Sequence, residues 1–182
     1  MSEELIVRHG SPTLAGLKTG SLFSCACPDG AELCRTLRSW NRRLAPKGVR
    51  ALGLRLLKGR ALIYVYRPAR LARDLERAEV RALLADRGYP TDATACVRTL
   101  CQRLRRTEEF PHEIGLFLSY PPEDVRGFIE NRAGGFKCVG CWKVYGDAAA
   151  ARALFGKYSH CTRVYCDRYA RGVPLERLTV AG

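Results

Sequence analysis

The sequence predicts an α/β fold, a single-domain sandwich in which helices flank a mixed sheet of about five strands. Its 182 residues, of which 47% are hydrophobic, are enough for one well-filled core. Helical and extended patterns alternate in the second half, and two extended runs in the middle are joined by a short glycine-containing link. No repeat or linker interrupts the chain, so we expect residues 1–182 to form one globular domain.

Hydrophobic spacing separates strands from helices in the first half of the chain. Leu33, Leu37 and Trp40 recur at helical intervals, and residues 61–66 give the strongest strand pattern. The link at residues 58–60 contains a glycine and predicts a hairpin. The predicted elements are strands at 22–27, 49–57 and 61–67 and helices at 31–44, 68–77 and 79–86.

The second half alternates helices with strands. Residues 92–106 carry an apolar stripe at helical spacing, whereas residues 113–118 form a short apolar run that predicts a strand. Pro121 opens a helix, and Asp147 is a favourable N-cap for another. The predicted elements are helices at 92–106, from 121, at 148–158 and at 161–170, and strands at 113–118 and 141–145.

The chain is strongly basic, with a formal net charge of +13. Its densest basic stretch runs from Arg35 to Arg60 without an acidic residue. Basic proteins gain affinity for nucleic acids by releasing counterions from phosphates, so nucleic-acid binding by the Arg35–Arg60 face is one hypothesis. We favour a solvated basic surface, because arginine outnumbers lysine throughout the chain and codon usage alone can produce that bias.

Nine cysteines, an odd number, argue against a disulfide framework. The first residues lack the basic and apolar regions of a secretion signal. No apolar run approaches the ~20 residues that a membrane-spanning helix needs. We therefore expect a cytoplasmic protein with no membrane partner, whose thiols are reduced or bind a metal.

The strongest candidate for chemistry is the run from Phe110 to Val125, in which His112 and Glu113 begin the predicted strand and Tyr120 follows it. Side chains of adjacent strand residues point to opposite faces, so His112 and Glu113 are not expected to share one proton relay. Each is a candidate catalytic residue, His112 as an acid, a base or a metal ligand. The alternatives are a structural histidine and a Glu113 that pairs with an arginine.

Other polar residues suggest a ligand site. Lys18 lies in a glycine-bracketed segment whose backbone and ammonium would suit an anion, although its spacing is not that of a P-loop. Lys143 and Tyr145 share one face of the last predicted strand, so these two residues and Tyr120 are candidates for lining one pocket. The alternative is a core-facing Trp142 with Lys143 reaching into solvent.

Cys138 and Cys141 have the Cys-x-x-Cys spacing of a metal site, but structural zinc requires four ligands. His160 and Cys166 are weak candidates for the remaining positions, because no second motif surrounds them. A redox dithiol is less favoured, since the pair leads into a strand rather than a helix. Thiols that bind no metal are the simpler interpretation.

Four sequence motifs are spread over nearly the whole chain, and both their residues and their order are distinctive. They lie at residues 9–23, 64–67, 110–125 and 142–147. They resemble a bacterial family, the domain of unknown function 3793. The pair of Cys138 and Cys141 lies outside this pattern. The resemblance implies no established activity. It implies a redox or iron-related context, with a flavodoxin-like protein as a possible partner.

Three functional hypotheses follow, and the sequence identifies neither a cofactor nor an enzymatic activity. The first is a binding or accessory protein for a small ligand or an anionic cofactor. The second is a small enzyme that uses His112 and Glu113 with a thiol or a metal, and the third is nucleic-acid binding by the Arg35–Arg60 face. The first hypothesis takes its candidate pocket from Lys18, His112, Glu113, Tyr120 and Lys143.

Overall fold

The computed structural model describes residues 2–106, 110–132 and 134–182. It has a mixed α/β structure in which helices account for 57% of the residues and strands for 15%. The strands do not form the predicted single mixed sheet, and this part of the fold prediction is wrong. The strands instead form one three-stranded and one two-stranded sheet.

The elements follow one another along the chain with short connections. In order they are α1 (Glu3–Leu14), β1 (Gly20–Ala26), α2 (Gly30–Leu44), β2 (Arg50–Leu57), β3 (Arg60–Tyr66), α3 (Pro68–Glu76), α4 (Ala78–Ala85), α5 (Ala93–Arg106), α6 (Ile114–Phe117), α7 (Pro122–Glu130), β4 (Cys138–Val139), β5 (Lys143–Val144), α8 (Ala148–Ala170) and α9 (Leu175–Leu178). Among these described residues, no helix is both long and apolar enough to cross a membrane.

The chain divides into two compact units. The first unit comprises the described residues up to Arg70 together with Tyr158–Gly182, and the second comprises Leu71–Lys157. The expectation of a single domain stays a prediction.

The first unit is built on the three-stranded antiparallel sheet, in the order β1-β3-β2. Ile63 and Val65 of the central strand are buried in a hydrophobic cluster with side chains from α1, α2 and α9. Trp40 of α2 is 1% exposed and belongs to the same cluster. This arrangement confirms the predicted strands, hairpin and helix in this part of the chain. The prediction was correct here because the hydrophobic residues recur at regular intervals.

Asn41 of α2 covers part of the outer edge of β2. Its Nδ2 donates to the Ala51 carbonyl at 2.8 Å, and the Ala51 N–H donates to its Oδ1 at 2.7 Å. In an antiparallel ladder both groups of one residue point to the same side, so Ala51 turns its N–H and C=O away from β3. The side chain of Asn41 thus satisfies a backbone pair that a sheet edge would otherwise offer to another strand.

The second unit contains α4 to α7, the β4–β5 hairpin and the start of α8. Residues 113–118 do not form a strand, so that prediction is wrong. The Leu116 N–H donates to the Glu113 carbonyl at 3.0 Å, and the Leu118 N–H donates to the Gly115 carbonyl at 3.0 Å, which winds the segment into the single turn α6. A short, fully buried apolar run suits a buried helix as well as a strand, and its pattern does not distinguish them.

Two other boundaries differ from the prediction. The predicted helices at 148–158 and 161–170 are one continuous helix, α8, because Ser159 and His160 between them are no barrier to helical structure. The predicted strand at 141–145 shortens to β5, which pairs with the unpredicted β4, Val139 opposite Lys143.

Candidate ligand-binding site

A partly open pocket of about 190 Å³ lies within the second unit. Its polar groups come from separate segments, with His112 just before α6, Tyr120 just after it and Lys143 at the start of β5. Ile114 and Val125 contribute apolar wall. The fold therefore brings three of the sequence-predicted candidates, His112, Tyr120 and Lys143, to one cavity.

Gly115 lets α6 approach its neighbours closely enough to form this wall. A Cβ at this position would lie 2.7 Å from Val125 Cγ2 and 3.0 Å from Tyr120 Cδ2. Contacts of that length are too short for ordinary packing. A side chain here would have to displace α7 or the Tyr120 ring, so the glycine is part of the pocket's construction.

His112 stands at the exposed rim of the pocket. Its ring meets the Phe128 ring of α7 edge to face, with 4.8 Å between the ring centroids. This contact orients the imidazole along the wall, since aromatic pairs favour such offset geometry.

Glu113, the neighbour of His112, does not line the pocket and is 3% exposed. The Tyr89 hydroxyl donates to its Oε1 at 2.9 Å, and Arg103 Nη1 donates to the same oxygen at 3.0 Å. Burial and the adjacent Glu113 carboxylate raise the pKa of Tyr89. The guanidinium of Arg103 also lies 4.4 Å from the centroid of the Tyr89 ring. Glu113 thus holds together the packing of α5 and the segment before it, as the arginine-paired alternative predicted.

Asp124 ties the hairpin to the first turn of α7. Its Oδ2 accepts from Trp142 Nε1 at 2.7 Å, and its Oδ1 accepts from the N–H groups of Tyr145 at 2.7 Å and Gly146 at 2.8 Å. Asp124 is 3% exposed and is one of the residues that line the pocket. Three donors compensate the cost of burying its charge.

Trp142 forms a wall that is fixed on both sides. The Tyr120 ring stacks on it with 4.6 Å between centroids, and Phe155 of α8 meets it edge to face, also at 4.6 Å. The Tyr120 hydroxyl donates to the Cys141 carbonyl at 3.2 Å. The indole is therefore held by stacking and by Asp124, and only 8% of its surface is exposed.

Lys143 supplies the cation of the pocket. Its Nζ lies 4.7 Å from the centroid of the Phe136 ring and 5.8 Å from that of Phe128. The ring faces are electron-rich and stabilise a nearby ammonium. One alternative from the sequence was a core-facing Trp142 with Lys143 reaching into solvent. Trp142 is buried as that alternative requires, but Lys143 lines the pocket.

The two cysteines of the Cys-x-x-Cys motif occupy different positions on the hairpin. Cys138 pairs with the buried Val144 in the β4–β5 ladder, whereas Cys141 is exposed and lines the pocket. All nine cysteines lie in the described ranges, and none forms a disulfide. Within residues 2–106, 110–132 and 134–182, no three His, Cys, Asp or Glu side chains are grouped so that they would hold a metal ion.

The weak candidates for a metal site, His160 and Cys166, belong to the first unit, whereas Cys138 and Cys141 belong to the second. His160 Nδ1 lies 3.1 Å from Arg163 Nη2 on the surface of α8. These four residues are not brought together as a ligand set within either unit.

Lys18 lies in the first unit and does not line the pocket. It is 8% exposed, and its Nζ lies 5.8 Å from the centroid of the Tyr158 ring. The N–H groups of Leu17 and Lys18 donate to the Pro12 carbonyl at 2.8 and 3.1 Å. These two N–H groups, which the sequence analysis considered as donors to an anion, therefore form hydrogen bonds at the end of α1 instead.

Tyr145 also lies outside the pocket lining. Its ring packs against α7, where a Cβ on Gly127 would lie only 2.4 Å from Tyr145 Cγ. Burial and then the Asp124 carboxylate raise the pKa of Tyr145. Among the described residues, its buried hydroxyl has no hydrogen-bond partner.

Sequence reasoning missed two residues of the site, Asp124 and Phe128. Asp124 looked like an ordinary acidic residue in the first turn of a helix, and Phe128 like one more apolar residue of that helix. Their roles depend on Trp142 and His112, which meet them only in the folded chain. The spacing of Asp124 from the hairpin carries no local signal that would have identified it.

Comparison with known proteins gives one match. A family model described as "Protein of unknown function (DUF3793)" matches residues 6–179, nearly the whole chain. No curated protein and no solved structure matches the chain.

Proposed function

Since the chain belongs to the family described as domain of unknown function 3793, and that description names no activity, we propose a function from the pocket. The protein binds a small ligand, of anionic character, in the pocket of the second unit. The observation that carries this proposal is the convergence of His112, Tyr120 and Lys143 on one partly open, apolar cavity. Small-molecule sites combine such apolar walls with a few converging polar groups.

The charge of the pocket favours an anion. Lys143 brings an ammonium to the wall, and the Asp124 carboxylate already accepts three hydrogen bonds from the protein. The two formal charges oppose each other, so the preference for an anion rests on position: Lys143 is half-buried, whereas Asp124 is 3% exposed and three protein N–H groups already bind its oxygens.

The alternative of a small enzyme that uses His112 and Glu113 together has less support. The Glu113 carboxylate is held by Tyr89 and Arg103, and the residue does not line the pocket. A base and an acid that cooperate in one reaction have to reach the same substrate. We therefore treat His112 as a binding residue.

Nucleic-acid binding by the Arg35–Arg60 face remains a separate proposal that rests on charge. Arg35, Arg38 and Arg42 are exposed on α2 of the first unit. A phosphate-driven complex would weaken steeply as salt is added, and binding that is insensitive to salt would exclude it.

A cysteine thiol in the pocket allows a direct test of the proposal, because its rate of labelling reports whether a ligand covers it. Cys141 lines the pocket and is exposed, and Cys34 on α2 is exposed in the other unit. We expect a bound ligand to slow maleimide labelling of Cys141 and leave labelling of Cys34 unchanged. The labelling rate of each cysteine is measured by mass spectrometry across a panel of nucleotides, flavins, metal ions and small aromatic acids.

Thermal unfolding across the same panel gives an independent measurement, since a ligand that binds the folded state raises Tm. Lys143→Gln should reduce both the protection and the Tm shift. Lys157→Gln is the matched control, because it removes the same charge from an exposed position of α8. If no compound protects Cys141 or raises Tm, the proposed function is wrong.

A further inference from the structure

The volume of the pocket limits the size of the part of a ligand that it can enclose. A cavity of about 150 Å³ is known to enclose one benzene ring, so the 190 Å³ cavity has room for one ring and little more. Sites for drug-sized molecules usually enclose about 300–1,000 Å³. A single ring with a short substituent is enclosed at this size, whereas a nucleotide or a flavin would leave most of its surface in solvent.

The walls of the pocket suit a flat, apolar body. Four rings line it, those of His112, Tyr120, Phe128 and Trp142. They are held before any ligand enters, by the stack of Tyr120 on Trp142 and by the edge contact between His112 and Phe128. Walls that are already ordered lose little conformational entropy on binding, and aromatic walls favour an aromatic ligand.

Burial distinguishes the two charged groups that line the cavity, the Asp124 carboxylate and the Lys143 ammonium. Ile114, Val125 and Asp124 are each at most 5% exposed and form its inner side. Lys143 is half-buried and His112 is exposed, so the cationic side is nearer to solvent. A ligand with a ring at one end and an acid group at the other fits this division. Its ring would enter first, and its anion would remain beside Lys143 and away from Asp124.

From this arrangement we infer that the ligand is a small aromatic carboxylate, with one ring enclosed by Tyr120, Phe128 and Trp142 and its carboxylate paired with the Lys143 ammonium. This inference rests on the proposed function, because it names the ligand class of the same pocket. It narrows the anionic ligand to a compound much smaller than a nucleotide or a flavin.

Four probes of similar size separate the features that the inference requires. Benzoate has both the ring and the negative charge, benzamide has the ring without a charge, benzylamine has the ring with a positive charge, and cyclohexanecarboxylate has the negative charge on a ring that is not flat. Their dissociation constants are measured with the full chain by NMR titration of ¹⁵N-labelled protein. We expect benzoate to bind at least about tenfold more tightly than each of the others, because a charge-assisted contact and ring packing each contribute.

The Lys143→Gln variant tests the position of the carboxylate. It should bind benzoate no more tightly than benzamide, while the Lys157→Gln control keeps the wild-type preference. Retention of that preference in Lys143→Gln would overturn the assignment of Lys143. Binding of benzamide or benzylamine as tight as that of benzoate would overturn the anionic half of the inference, and equal binding of cyclohexanecarboxylate would overturn the aromatic half.

Failure of the inference is distinguishable from failure of the proposed function. If none of the four probes binds but a nucleotide or a flavin protects Cys141 from maleimide, the ligand class is wrong and the pocket remains a binding site. If nothing in either panel binds or protects Cys141, both the inference and the proposed function are overturned.

Discussion

Trp142 and Asp124 join the β4–β5 hairpin to α7 through a buried hydrogen bond, from the indole Nε1 to Oδ2 at 2.7 Å. The same carboxylate accepts the N–H groups of Tyr145 and Gly146 through its other oxygen. One side chain therefore positions the end of the hairpin and one wall of the pocket. A carboxylate suits this position because both of its oxygens accept hydrogen bonds.

Asp124→Asn should destabilise the protein, because a carboxamide has only one accepting oxygen. In either orientation its NH₂ group would face a buried or half-buried N–H donor, so we expect a loss of about 1–3 kcal/mol in the free energy of unfolding. Urea unfolding followed by circular dichroism measures this. Asp147→Asn is the matched control, since the exposed Asp147 caps α8 and asparagine caps a helix equally well. Equal losses in the two variants would contradict the role of Asp124.

Glu113→Gln should also destabilise the protein, through the loss of charge beside Arg103. The Arg103 side chain is 34% exposed, so solvent compensates part of the lost pairing, and we expect about 1–3 kcal/mol. Glu79→Gln is the control, because Glu79 pairs with Arg77 at an exposed position where ion pairs contribute little. Benzoate binding by Glu113→Gln, measured by the same titration, should remain at the wild-type level. A folded variant that loses this binding would show that Glu113 acts in the pocket.

Asn41→Ala should expose the edge of β2. The Ala51 N–H and C=O would lose their side-chain partners, at a cost of about 1–2 kcal/mol. An uncovered strand edge also favours pairing between molecules, so we expect more light scattering on heating. Ser39→Ala, at an exposed position of the same helix, is the control for the higher helix propensity of alanine. Unchanged stability and scattering in Asn41→Ala would contradict this account of the edge.

The cysteines should react with maleimide in an order set by their surroundings. Cys34 and Cys141 are exposed and should be labelled first. Burial raises the pKa values of Cys25, Cys96 and Cys161. A raised pKa lowers the fraction of reactive thiolate, and burial keeps the reagent from the sulfur, so these three should react more slowly than Cys34 and Cys141. Mass spectrometry of the native protein gives each rate, and early labelling of Cys96 would show that its burial is wrong.

The parts of the fold that sequence analysis predicted are those with a regular hydrophobic period. The helix that carries Leu33 and Trp40 keeps the helical spacing of hydrophobic residues over several turns. The hairpin whose second strand contains Ile63 keeps an extended apolar pattern along its strands. The first helix was not predicted, because Gly10 and Pro12 near its end look like breaks in any helical pattern.

Residues of the pocket were selected from the sequence where a residue type indicated polar chemistry at the end of an apolar segment. His112, Tyr120 and Lys143 were selected in this way and line one cavity, and their role in binding stays a prediction. The strand assigned to residues 113–118 was wrong, yet the expectation that His112 and Glu113 face different surroundings is confirmed. Adjacent residues at the start of a helical turn also diverge, so the conclusion survives the change of element.

The two tryptophans of the chain fall one in each unit, Trp40 in the core of the first and Trp142 in the wall of the second. Each unit therefore carries its own optical reporter. In Trp142→Phe the emission comes from the first unit alone, and in Trp40→Phe it comes from the second. If the fluorescence curve of each variant coincides with the circular-dichroism curve of the same variant, both units unfold in one cooperative transition, whereas separate midpoints would make each unit a thermodynamic domain of its own.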